Sequence, residues 1–94
     1  MLYEWDVAKE LANRRKHLLG FELAAQALAD PERLELSQMI DGEARYFTLC
    51  RIGTHVLTVV FTEREDEDGH EICRIISARK ATRAERERYF QGEV

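Results

Sequence analysis

Three strand-like runs follow one another with almost no chain between them: Tyr46 to Ile52, His55 to Thr62, and Glu71 to Ala78. Gly53-Thr54 alone joins the first two, a two-residue connection compatible with a tight hairpin. Parallel neighbours need a long crossover, so spacing this close favours an antiparallel meander. Ile72, Ile75 and Ile76 carry the β-branched side chains that suit a pleated, half-buried surface. Segments before and after the meander must then pack on it.

Those segments read mostly as helices. A short strand spans Leu2 to Trp5, and Asp6 stands as the N-cap of a helix running to about His17. Gly20 breaks that helix, and Phe21 to Leu28 forms a second. Asp30-Pro31 stops the second helix, because proline disfavours helical geometry in the residue before it. Leu34-Glu35-Leu36 alternates as a strand does, and a turn follows at Asp41-Gly42. Thr82 with Glu85 three residues later is the capping-box pattern, opening a last helix to about Phe90. The expected fold is α+β: a small curved antiparallel β-sheet with two N-terminal helices and one C-terminal helix packed on one face. Residues 1–94 are expected to form a single domain.

A chain of 94 residues should bury roughly 60–65% of its unfolded surface around one core. No apolar run approaches the ~20 residues that a membrane helix needs, so no association with a membrane is expected. Met1-Leu2-Tyr3-Glu4-Trp5-Asp6 lacks the basic and then apolar regions of a secretory signal. Cys50 and Cys73 both fall in strand-like runs, and two cysteines make no disulfide framework. Buried free thiols fit a reducing compartment, and the expected location is cytoplasmic.

The net charge of -4 argues at first sight against a polyanionic partner. Its distribution weakens that objection. Glu63 to Glu71 holds six acids and one arginine, a local balance of -5. Arg74 to Arg88 carries six basic and two acidic residues, a balance of +4. Local potential, not the sum, sets what a surface attracts. The acidic stretch carries turn chemistry at Asp68-Gly69 and reads most simply as a solvated hairpin loop.

Two constellations carry chemistry. The first is Arg79-Lys80 between the last strand and the last helix, with Arg74, Arg83, Arg86 and Arg88 nearby. Guanidinium groups fixed at a strand end suit bidentate recognition of phosphate. Its plain alternative is a basic surface helix. The second lies on the first helix, where Asp6, Lys9, Asn13, Lys16 and His17 fall within an arc of about 100°. Val7, Ala8, Leu11, Ala12 and Leu18 occupy the other side, which is expected to be the buried face. The stripe then offers outward two lysines, an amide and an imidazole, the side chain type that switches charge near neutral pH. Here the plain alternative is an ordinary solvated face.

Glu4-Trp5-Asp6, Lys9, Asn13, Lys16-His17 and Phe21-Glu22-Leu23-Ala24 resemble the opening of the BrnT family of type II toxins. Glu43, Arg45 and Thr62-Glu63-Arg64 are similar to its middle, and Arg74 to Thr82 with Glu85, Arg86 and Tyr89 to its closing signature. The resemblance covers nearly the whole chain, in order. It departs where the family usually has Lys-His-Gly, since Leu18 and Leu19 here follow His17, and where Cys50 replaces a common small residue. It implies a RelE-like, metal-independent ribonuclease that inhibits translation and needs no cofactor. It also implies a cognate antitoxin with a ribbon-helix-helix domain, in an assembly expected to hold two copies of each chain. DNA would be contacted only indirectly, through that antitoxin.

Metal-free RNA cleavage needs a base for the 2′-hydroxyl, positive charge at the phosphate and an acid for the leaving oxygen. The chain has no His-Glu-His or Cys-Cys-His cluster with metal-ligand spacing and no glycine-rich phosphate loop. His17 is the candidate titrating group, with Arg64 and Arg79 as phosphate clamps. Lys9, Asn13, Lys16 and Lys80 are candidate substrate-binding residues. Tyr89 is a candidate to stack on a base or donate a proton, against the alternative that it packs its helix. His55 and His70 read as solvated loop residues and Trp5 as core. Two other classes stay open: a catalytically inactive toxin fold serving as co-repressor with a DNA-binding antitoxin, and a generic RNA-binding module. The lack of interleaved surface aromatics counts against the latter.

Overall fold

A computed structural model of the chain describes residues 2–92. Strand β1 (Leu2–Glu4) leads into helix α1 (Val7–His17) and then helix α2 (Phe21–Ala27). Strands β2 (Leu34–Ile40), β3 (Glu43–Ile52), β4 (His55–Glu65) and β5 (Glu71–Lys80) follow, and helix α3 (Arg83–Gln91) closes the chain. The strands form one open sheet in the order β1-β5-β4-β3-β2. From β2 to β5 it is the expected antiparallel meander. The exception is β1, which pairs in parallel with β5, so the sheet is mixed. This pairing spans nearly the whole chain, and no local pattern announces it.

Turn chemistry sets the registers. Asp41 (φ 51°) and Gly42 (φ 78°) are both left-handed between the paired Ile40 and Glu43, as a two-residue hairpin of Asp-Gly type requires. Strand β2 is accordingly a full partner of β3 and longer than the Leu34–Leu36 alternation shows. Strand β4 also runs further than expected, through Glu63, Arg64 and Glu65, and only Asp66–His70 remains as loop. The alternating charges belong to a twisted hairpin arm wetted on both sides. Asp66 closes the loop by accepting from the backbone N–H groups of Asp68 and His70.

Helix α2 supplies the core. Phe21, Ala24, Ala27 and the following Leu28 are buried against Cys50, Leu57, Val59, Phe61, Cys73, Ile75 and Ala78 of the sheet. Trp5 packs at the edge of this cluster, its ring 6.0 Å from that of Phe21 in an edge-to-face contact. Both cysteines are free and buried, and burial pushes each thiol up to about 12.

Helix α1 overturns the expectation of its buried face. Val7 is 69% exposed, Leu11 44% and Leu18 85%, while Asn13 is the helix's buried residue. The physical reason is where the helix sits. It packs against the outer edge of β5 beyond the short β1, and a sheet edge presents unpaired N–H and C=O groups. Asn13 answers both, its amide nitrogen donating to the Ala78 carbonyl at 2.8 Å and its oxygen accepting from the Ala78 N–H at 3.1 Å. A second Asn13 N–H goes to the Leu19 carbonyl. Asn13 alone of the polar stripe therefore faces inward, while Asp6, Lys9 and Lys16 stay exposed together with Val7, Leu11 and Leu18.

Strand β5 changes parity once. Val60 pairs with Ser77 and Phe61 with Ile75, which leaves Ile76 as a bulged residue. Under uninterrupted alternation along β5, Arg79 would share the α2-covered face with Cys73 and Ile75. With the bulge, Ala78 points to the core and Arg79 shares the opposite face with its partner Thr58.

Candidate active site

The end of α1 and the end of β5 meet in an open hollow of about 440 Å³ lined by Lys16, His17, Leu18, Arg79, Lys80 and Thr82. It continues into a second hollow of about 260 Å³ bounded by Lys9, Asn13, Lys16, His17, Ile76 and Ser77. Six of the eight residues expected at the site thus converge: His17, Lys9, Lys16, Asn13, Arg79 and Lys80. Chain folding, not sequence proximity, joins residues 9–17 to residues 76–82.

Each position has a local cause. His17 is the last residue of α1, in a final turn that also holds Arg14, Arg15 and Lys16, where cations complement the helix dipole. Asp6 caps the other end by accepting from the Lys9 N–H at 3.0 Å. Thr82 caps α3 through the full capping box with Glu85 and lines the hollow.

Arg79 is held, not loose. Its guanidinium donates to the two Glu85 oxygens at 2.7 and 3.0 Å and to the Lys80 carbonyl at 3.3 Å. This fork holds Glu85 down to about 2 and raises Arg79 further. Among the described residues, Nε–H and one Nη2–H of Arg79 carry no protein partner. An anion can still be met by a guanidinium whose orientation is already set.

Two expected site residues are elsewhere. Arg64 pairs with Ile72, six residues along β4 from the Thr58–Arg79 pair, which is about 20 Å at ~3.3 Å per residue. Its fork closes on Glu4 at 2.6 and 2.7 Å, and Arg74 joins the same carboxylate at 2.8 Å. Arg64, then Arg74, hold Glu4 down to about 2. Arg64 and Arg79 therefore cannot clamp one phosphate, because β4 holds them at opposite ends of the sheet. Tyr89 is buried and its hydroxyl donates to Asp30 at 2.5 Å, which commits it to packing α3. Asn13 reaches the hollow, but its donors are spent on backbone, so it positions α1 rather than binding substrate.

Asp30 and Glu85 do more than end one helix and cap another. Asp30 accepts from Tyr89 and from the N–H groups of Glu32 and Arg51, bonds that outweigh burial and lower its pKa. Glu85 was legible only as half of a capping box; its second role depends on where the β5 bulge aims Arg79. A third group, Asp66, Asp68 and His70, has its donor atoms within 4.8 Å of one another. It lies in the exposed β4–β5 loop, at the other end of β5 from the hollow.

The chain is thus a small α+β domain with a cationic hollow beside one imidazole. Residues 5–85 match the family model described as the ribonuclease toxin BrnT of type II toxin-antitoxin systems, and the chain belongs to that family. No curated protein matches it. Family membership makes the protein a ribonuclease toxin with an antitoxin partner and an RNA target. No helix among the described residues is long and apolar enough to cross a membrane.

Proposed function

We propose that this chain is a metal-independent endoribonuclease whose active site is the His17–Arg79 hollow. The observation that carries the reading is the convergence of His17, Lys16, Arg79 and Lys80 on one open surface. In the proposed reaction the 2′-oxygen attacks phosphorus, the P–O5′ bond breaks, and the proton from the 2′-hydroxyl ends on O5′. The products are a 2′,3′-cyclic phosphate and a 5′-hydroxyl. His17 handles the proton, the free donors of Arg79 meet the pentacovalent phosphate, and Lys9, Lys16 and Lys80 hold flanking phosphates. The donor set supports a reaction without metal, since one imidazole among four cations repels a divalent ion more than it ligates one.

Cleavage in the cytoplasm would inhibit translation. Neutralisation falls to a ribbon-helix-helix antitoxin, two copies of each chain forming the complex, with DNA contacted only through the antitoxin. The competing reading, an inactive toxin fold serving as co-repressor, draws on one observation: Glu85 already neutralises Arg79.

Purified protein should cut RNA in excess chelator and leave the stated termini, and Arg79→Ala should lower kcat by about 10²–10³-fold. His17→Ala should cost ~10²–10⁴-fold. Intact RNA, together with unimpaired growth on induction without antitoxin, would establish the co-repressor reading instead.

A further inference from the structure

The face of the sheet opposite α2 holds a second recess, distinct from the catalytic hollow. Leu34, Leu49, Thr58 and Arg79 form one cross-strand row on it, with Leu36 and Phe47 in the row beside them. With Glu85 and Arg88 of α3, which lies on this face and not beside α2 as the sequence suggests, they enclose about 100 Å³. Leu36 is 56% exposed, and the floor is apolar across β2 and β3. Thr58, only 3% exposed, has its hydroxyl oxygen buried without a hydrogen-bond partner, though near enough to Glu85 to help hold that carboxyl down. Arg79 lines both this groove and the catalytic hollow.

We propose that this groove receives an acidic, leucine-type segment of the antitoxin, which takes Arg79 from behind and withdraws it from RNA. The inference rests on the toxin reading above for its partner. The chemistry of the occupant comes from the groove. Its apolar floor takes an aliphatic side chain, as a dry cavity of about 150 Å³ takes benzene. Arg88 and Arg79 at the rim call for a carboxylate, which replaces Glu85 in the fork and comes within reach of the Thr58 hydroxyl. A nucleotide suits the site less, because an apolar recess of about 100 Å³ takes an aliphatic side chain more readily than a base with its ribose. The outward stripe of α1 (Val7, Leu11, Leu18) is also apolar and exposed, but nothing around it selects an occupant.

The probes are a synthetic octapeptide alternating leucine with aspartate, its leucine–lysine counterpart, and an oligouridylate, each titrated into labelled protein and followed by NMR. The acidic peptide should shift the methyl groups of Leu34, Leu36 and Leu49 and the Arg79 Nε–H. The lysine peptide should shift none of them, and the oligouridylate should act at His17 and Lys16. Leu36→Asp and Arg88→Glu, shown folded by thermal melts, should each weaken the acidic peptide about tenfold. His17→Ala should slow cleavage by the same ~10²–10⁴-fold and leave peptide affinity unchanged. Peptide binding at the groove of a chain that cleaves no RNA would uphold the docking site and count against the nuclease reading alone. Absence of shifts in the groove, peptide shifts centred on Val7 and Leu11, an oligouridylate in the groove, or full affinity in Leu36→Asp would each overturn the proposal.

Discussion

Asn13 shows how one side chain can reverse the reading of an element. Sequence places it at the centre of a polar stripe, and a polar stripe on an amphipathic helix ordinarily meets water. Here the amide stands in for a missing strand partner at Ala78. Asn13→Ala would leave the Ala78 N–H and C=O and the Leu19 carbonyl unpaired in a buried site, and urea unfolding should report a loss of about 2–4 kcal/mol. Leu18 makes the opposite case. It ends α1 in the left-handed region at φ 60°, its N–H bonded to the Arg14 carbonyl, where glycine is the usual residue. A left-handed non-glycine residue costs roughly 1–2 kcal/mol, and at 85% exposure little apolar contact offsets it. Leu18→Gly should therefore stabilise the protein by about 1 kcal/mol, seen as a raised Tm. The departure from the family's Lys-His-Gly was visible in the sequence, but its cost needed the backbone angle.

Helix caps and hairpin turns followed local chemistry closely; strand lengths and element contacts did not. Asp6, Gly20, Asp41-Gly42, Gly53-Thr54 and the Thr82–Glu85 box mark helix ends and hairpins where the backbone places them. What α3 rests on is another matter. Its apolar complement is thin, and Phe90 remains 59% exposed beneath Arg86. Tyr89 secures it by donating to a buried carboxylate that also caps the chain after α2 and meets the Arg51 N–H of β3. Burial first, then Asp30, pushes the Tyr89 hydroxyl up to about 12, so it stays a donor across the physiological range. Tyr89→Phe should cost about 1–2 kcal/mol in unfolding experiments. Cleavage per folded molecule should be retained, and a loss comparable with that of His17→Ala would return Tyr89 to the reaction.

Across the whole molecule, two carboxylates join one element to another, Glu4 across the chain and Glu85 over six residues, and both are held down to about 2: Glu4 by Arg64 and Arg74, Glu85 by Arg79. A depressed native pKa means the unfolded chain binds more protons at low pH, so stability rises with pH across that window. The contribution is complete above about pH 4.5 and is lost as pH falls toward 2. Urea midpoints should decline over that range, and Glu4→Gln combined with Glu85→Gln should flatten the decline. A midpoint equally steep in the double variant would show that other carboxylates dominate acid unfolding. Sequence alone determined the meander, the three helices and the family, because hairpin turns, caps and strand chemistry act between residues close in the chain. It also brought forward six residues that share the hollow, since they belong to two compact segments. Tertiary structure alone decided that α1 lies on a sheet edge, that the Ile76 bulge turns Arg79 away from the core, and that Arg64 is about 20 Å distant from it. Those outcomes depend on strand pairing between residues far apart in the chain, where a shift of one position reverses the face of every side chain that follows.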